Sequence, residues 1–225
     1  MRKIPRQARS RAMVERLLAA GRDVLVTDGY DAFTTNRVAT RAGVSPGSLY
    51  QYFPDKGAIV EAVADRWLDE LAERVAASLT DHLGAPGPVL VRGTLEALLD
   101  ALEDDPELLR VVATELPLSR YRDRRQALRR RVADIATAGL AGPSGARRPD
   151  PATAAWVLVV AVEALSMQWV LEPPAPRRGE SVEEQRSRII DELTDLCLGY
   201  LLGQPSAAAP TGSRVAPRSE DRENV

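Results

Sequence analysis

Residues 33–53, FTTNRVATRAGVSPGSLYQYF, constrain this chain more than any other stretch, because two short segments of helical apolar spacing meet at a glycine. Val38, Ala39 and Ala42 share one side, Gly43 and Val44 break the pattern, and Ser45-Pro46 restarts it. The restart has a mechanism: a serine oxygen caps free backbone amides, and proline fits the first helical turn. Leu49 and Phe53 then fall on the side that packs back. Two helices joined in this way form a helix-turn-helix, whose second helix enters the major groove of DNA. Ser45, Pro46, Gly47, Ser48, Tyr50, Gln51 and Tyr52 are therefore expected to face base edges and phosphates.

The net charge of −2 conceals a division that fits this reading. Residues 1–56 carry ten Lys or Arg against five Asp or Glu, and the remainder carries 20 against 27. A basic module supplies salt-dependent phosphate attraction, whereas an acidic remainder avoids nucleic acid. A preceding helix over residues 9–28 is predicted from Val14, Leu17, Leu18, Gly21, Val24 and Leu25, with Gly29 as a left-handed cap. Arg2, Lys3, Arg6 and Arg9 form a basic arm that reads either as a minor-groove or phosphate contact or as a solvated tail.

The run DGYDAFTTNRVATRAGVSPGSLYQYFPDKGAIVEAV resembles the TetR (tetracycline-repressor-like) family of transcriptional regulators over roughly the first 70 residues. The resemblance rests on Gly29-Tyr30, Thr34-Thr35, Ala42-Gly43-Val44-Ser45, Gly47, Leu49-Tyr50, Tyr52-Phe53 and Lys56. Phe33 and Pro46 depart from it, standing where a small polar residue and a lysine are common. It implies that Thr35, Tyr50, Tyr52 and Lys56 hold phosphates, through hydroxyls and one ammonium at a helix N-terminus. Ser48 and Gln51 are the candidates for base edges, since glutamine pairs bidentately with adenine. Arg37 and Arg41 read either as phosphate contacts or as ordinary solvated charges, and the two tyrosines either as contacts or as packing rings.

Enzyme readings find little support. Gly43-Val44-Ser45-Pro46-Gly47 fits a hydrolase G-x-S-x-G pattern, but that turn needs a preceding strand and a histidine base, and His82 is the single histidine. Cys197, the single cysteine, excludes an intramolecular disulfide and a multi-cysteine metal site; neither a metal nor a cofactor is expected. No apolar run is expected to span a bilayer, which assigns the chain to the cytoplasm with no membrane partner.

Beyond residue 53 the pattern is all-α. Asp55 caps a predicted helix over residues 56–83, long enough at 1.5 Å per residue to span roughly 40 Å. Breakers at residues 84–88, 104–106, 117, 142–151 and 172–179 divide the rest into about five more helices, about nine in all. The arginines between Arg120 and Arg131 are expected mostly on a solvated face, behind Tyr121, Leu128, Val132 and Ile135. Residues 152–171, ATAAWVLVVAVEALSMQWVL, are apolar around the whole circumference and need cover on two sides. With the last helix, residues 182–202, opened by a Ser181–Glu184 capping box, they are expected to pair with their symmetry mates as a homodimer reading a palindromic operator.

The division that follows is residues 1–55 as basic arm and DNA-binding head, 56–202 as ligand-binding and dimerisation body, and 203–225 as a disordered tail. The resemblance implies a small-molecule pocket in the body, for which Tyr121, Trp156, Glu163, Met167, Gln168 and Trp169 are candidates; core or dimer packing is their other reading. The functional expectation is a transcriptional regulator, specifically a repressor released from DNA by a ligand. The alternative is a helical binding module that no longer reads DNA.

Overall fold

The structure, a computed structural model, describes residues 6–116, 118–140 and 150–202. Arg2 and Lys3 of the basic arm and the expected tail at 203–225 lie outside the described residues. The helices are α1 (Arg6–Ala32), α2 (Thr35–Ala42), α3 (Pro46–Tyr50), α4 (Lys56–Asp81), α5 (Gly87–Glu103), α6 (Pro106–Arg110), α7 (Leu118–Leu140), α8 (Pro151–Leu171) and α9 (Val182–Leu202). A single π-helical turn, Val111–Glu115, extends α6; it closes with Leu116 N donating to Val111 O at 3.2 Å, five residues back. Among the described residues there is no strand, and the protein is all-helical.

Local caps account for several boundaries. Asp55 accepts from Ala58 N at 2.8 Å and starts α4, and Ser181 and Glu184 exchange backbone bonds of 3.1 and 2.8 Å at the start of α9, the expected capping box. At Gly29 the expected break is present: a kink with φ 76° and ψ 171° ends the long first part of α1, with a ψ that differs from a left-handed helical cap, and a last helical turn runs on to Ala32. That backbone is open to glycine because no Cβ opposes it. The amide freed at Tyr30 bonds the Glu115 carboxylate at 2.9 Å, so the chain needs no cap to end the ladder at this point.

Leu17, Leu25, Phe33, Val38, Leu49 and Ile59 are fully enclosed and form the centre of the head. The same core takes in Leu108, Val111 and Leu116 from α6 and the π turn, so head and body share one apolar interior. Around it α4 packs on α5 and α7, α5 on α8 and α9, and α7 on α8. Cys197 is buried, and burial pushes its thiol up to about 11.

Helix α8 corrects an expectation. It is long and apolar enough to cross a membrane by length and composition, with mean hydropathy 1.8. Its one ionisable residue, Glu163, is nevertheless held by arginines of α7, which places the helix in the bundle. Of the described arginines of α7, two turn to α8. Arg125 Nε lies 2.6 Å from Glu163 Oε1, and Arg129 Nε bonds Glu163 Oε2, so neither belongs to a solvated face; Arg130 and Arg131 do. The side chains of Tyr121, Arg120, Arg122 and Arg124 lie outside those described.

Candidate nucleic-acid interface

The turn between α2 and α3 is built as the residue types require. Thr34 accepts from Arg37 N at 3.3 Å at the start of α2. Gly43 adopts φ 65° and ψ 39°, the left-handed conformation that glycine favours at a helix end. Its amide reaches Thr40 O at 3.1 Å, and Val44 N reaches Ala39 O at 3.0 Å, closing the reversal. Ser45 then caps α3: its Oγ accepts from Ser48 N at 3.1 Å and lies 2.9 Å from Ser48 Oγ. Both of its near partners belong to the cap, and His82 sits at the other end of α4, its Nδ1 2.8 Å from Ser78 O.

Leu49 and Phe53 are buried, which fixes the opposite side of α3 outward. Ser45, Pro46, Gly47, Tyr50 and Gln51 are exposed there and Ser48 is half-buried. The helix itself ends at Tyr50, so Gln51 is its C-cap and Tyr52 follows in a turn, with Tyr52 N bonded to Leu49 O at 2.9 Å. Tyr52 is not on the recognition helix but half-buried against the head core. Two of the hydroxyls expected at phosphates meet directly, Thr35 Oγ1 lying 3.0 Å from Tyr50 Oη. Lys56, exposed at the first residue of α4, holds its ammonium 4.8 Å above the centroid of the Tyr30 ring. Arg37 is paired with Asp28 at 2.7 Å and Arg41 with Asp23 at 3.7 Å, so both arginines are tied to α1 and only half-exposed.

Chemically the surface offers hydroxyl donors at Thr35, Ser48 and Tyr50, one amide at Gln51 and one point charge at Lys56. From Phe33 to Lys56 the only acid is Asp55, which is spent on the α4 cap. Such a surface is suited to an anionic backbone with a base-reading group at its centre.

The five described pocket candidates do not gather round one cavity. Trp156 is 55% exposed, Gln168 is exposed and bonded to Glu172 at 3.0 Å, and the buried Trp169 donates to Glu103 Oε1 at 2.9 Å while packing on Leu99 and Ile190. Glu163 and Met167 do converge, since Arg125 reaches both. Tyr121's side chain lies outside those described. A cavity of about 580 Å³ lies elsewhere, between α1, α4, α5 and α6, over Leu18, Val63, Trp67 and Leu108.

Residues 17–63 match the model of bacterial regulatory proteins of the TetR family, and residues 86–201 match the tetracyclin repressor-like C-terminal domain. The chain belongs to the TetR family. It is a DNA-binding transcriptional regulator of that class. As such it is 35% identical over 99 residues to the HTH-type transcriptional activator FasR of Mycolicibacterium smegmatis, a match covering 43% of each chain. It is 28% identical over 127 residues to the HTH-type transcriptional regulator AlkX of Mycobacterium tuberculosis, covering 51% of this chain and 60% of that one. These matches span less than two-thirds of the curated relatives. A TetR-like transcriptional regulator from Rhodococcus sp. RHA1 shares the fold with a TM-score of 0.62 at 21% identity, covering 90% of this chain and 100% of the other. The fatty acid degradation regulator FadR from Bacillus halodurans does so at 0.64 and 14%, covering 82% and 97%.

Two elements of this TetR-family head escaped the sequence reading. Thr34 caps α2, a role signalled by a threonine before a helix start, and Tyr30 carries the Lys56 ammonium, which no local pattern announces because the two are 26 positions apart.

Proposed function

We propose that this TetR-family regulator acts in the cytoplasm as a homodimeric repressor, reading a palindromic operator and released from it by a small molecule. The observation that carries the reading is the outward surface of α2, α3 and the start of α4, where Thr35, Ser48, Tyr50, Gln51 and Lys56 stand around the buried Leu49 and Phe53. In this reading Thr35, Tyr50, Tyr52 and Lys56 hold phosphates, Ser48 and Gln51 face bases, Gly47 admits the backbone closely, and Ser45 and Pro46 set the helix start. Arg37 reaches DNA only by exchanging Asp28 for a phosphate. Residues 1–55 form the DNA-reading unit and 56–202 the body.

Dimerisation is supported by the uncovered apolar side chains of the last two helices, Trp156, Leu165 and Leu196, which are 55%, 46% and 47% exposed. An isologous pairing of α8 and α9 covers them and presents two recognition helices one DNA turn apart. The ligand is assigned to the body near Glu163 and Met167, and it acts by binding one arrangement of the heads better than the other.

The test is binding of the purified protein to the intergenic DNA adjoining its gene, across a salt series and by footprinting. A symmetric footprint with affinity well above that for random DNA is expected; equal affinity for both at physiological salt overturns the reading. FasR is named an activator, which favours activation as the second reading. A fall rather than a rise of the adjacent transcript on gene deletion selects it.

A further inference from the structure

Glu115 ends the only π-helical turn among the described residues, the turn that closes the α6 segment before the chain becomes extended at Leu116. Its Oε2 accepts from the backbone amide of Tyr30 at 2.9 Å, across 85 positions of sequence. That amide is available because Gly29 breaks α1 immediately before it, and the carboxylate lies so close to the break that a Cβ on Gly29 would stand 3.3 Å from the same oxygen. On the other side of Tyr30 the half-buried ring packs on the head core and carries Lys56 Nζ at 4.8 Å from its centroid. One acid of the body thus fixes the residue whose ring face orients the cation at the start of α4.

We infer that Glu115 is a positioning residue for DNA binding, acting from the body through Tyr30 on the Lys56 ammonium. The inference rests on the proposed phosphate contact of Lys56. A flexible lysine held over a ring face gives up less freedom when it meets a phosphate, and a ring whose backbone is anchored holds its place better than one at a loose helix end. Because Glu115 belongs to the π turn, whose Val111 and Leu116 lie in the shared core, the same contact makes Lys56 sensitive to how the body packs on the head.

The sign of the effect separates this role from simple charge. Removing an acid near DNA strengthens binding to polyanions, whereas removing a positioning contact weakens it. The measurement is the affinity of the full chain for a labelled random-sequence duplex and for the adjoining intergenic fragment, each over a salt series. Glu115→Ala is expected to bind both about three- to tenfold more weakly, the loss of one such contact. Glu115→Gln keeps an acceptor for the Tyr30 amide and is expected near the parent. In a Lys56→Ala background, itself weaker with a salt slope shallower by about one, Glu115→Ala is expected to add nothing. Tyr30→Leu, which leaves the carboxylate in place, gives the same cycle by a second route, and faster amide exchange at Tyr30 in Glu115→Ala reports the lost bond directly.

Stronger or unchanged binding by Glu115→Ala, or losses that simply add to those of Lys56→Ala, overturn the inference while leaving the Lys56 contact intact. Unweakened binding by Lys56→Ala alone removes the phosphate reading and the inference with it.

Discussion

Arg22 and Asp105 join α1 to the start of α6 through two nitrogens on one oxygen, Nε at 2.8 Å and Nη2 at 2.6 Å from Asp105 Oδ2. The other oxygen, Oδ1, accepts from Leu108 N at 3.2 Å, so a single buried carboxylate both caps α6 and anchors the head. Asp105→Ala removes both contacts and is expected to lower the unfolding free energy by about 1–3 kcal/mol. Asp105→Asn keeps a capping oxygen and should cost less; equal losses for the two variants in urea unfolding would show that the cap contributes nothing.

Glu163 is the one charge on α8, and it is shared by Arg125 and Arg129, whose side chains are 33% and 29% exposed. Its removal leaves two half-buried cations facing an apolar helix. Glu163→Ala should destabilise the protein by about 1–3 kcal/mol after allowing for solvent screening, and Glu163→Gln by less. Urea titrations at low and high salt check this, with a smaller difference expected at high salt. A neutral Glu163→Ala would mean the clamp does not hold α7 to α8.

Before α9, Glu180 receives Arg188 Nε at 2.8 Å, Arg188 Nη2 at 3.0 Å and Arg177 N at 2.7 Å. The side-chain bonds from Arg188 come first among the causes that lower its carboxyl from 4.5 to about 2. A carboxyl whose folded value is depressed contributes stability above its unfolded value and loses it as pH falls through the folded one. The difference in thermal midpoint between the parent and Glu180→Gln should therefore be constant above about pH 5, shrink below about pH 4 and vanish only below about pH 2. A difference independent of pH over that window would assign the effect to something other than the charge.

Leu196 is 47% exposed on α9, so a charge placed there disturbs little within one chain. In the proposed dimer the same position faces the other copy. Leu196→Glu should shift sedimentation toward the monomer while leaving helical circular dichroism unchanged. Retention of the dimer would move the interface away from this side of α9.

Tyr50 and Gln51 separate positioning from reading. Tyr50→Phe removes the hydroxyl that lies 3.0 Å from Thr35 Oγ1 and should weaken specific and random DNA alike, by about three- to tenfold. Gln51→Ala should change which bases are preferred more than it changes random-DNA affinity. Selection of bound sequences from a randomised pool checks both; an unaltered preference in the Gln51 variant removes its base-reading role.

What was legible beforehand follows the range of the interactions. Ser45, Asp55, Ser181 and Glu184 bond amides within three residues, so their effect is written in the local order of residue types. The outward and inward sides of α3 followed equally from the spacing of Leu49 and Phe53. Glu163 with Arg125 and Arg129, Trp169 with Glu103, and Glu115 with Tyr30 are separated by 34 to 85 positions, and nothing in periodicity chooses such partners. Gly29 divides along the same line. Glycine at the end of an apolar stripe signals the break, but not the distant carboxylate that takes the freed amide.

His82 has a mechanical consequence at the other end of α4. Its ring is held by Ser78 O at 2.8 Å and lies against Gly93 of α5, where an added Cβ would stand 2.6 Å from the imidazole. Ser78 Oγ fastens the same place to Gly93 O at 2.9 Å. The helix is thus fastened at its far end, and a rotation of about 5° about that point would sweep Lys56, roughly 40 Å away, through about 3 Å. A displacement of that size equals a whole hydrogen-bond length, so an angular change too small to disturb the packing at the pivot is enough to make or break a phosphate contact.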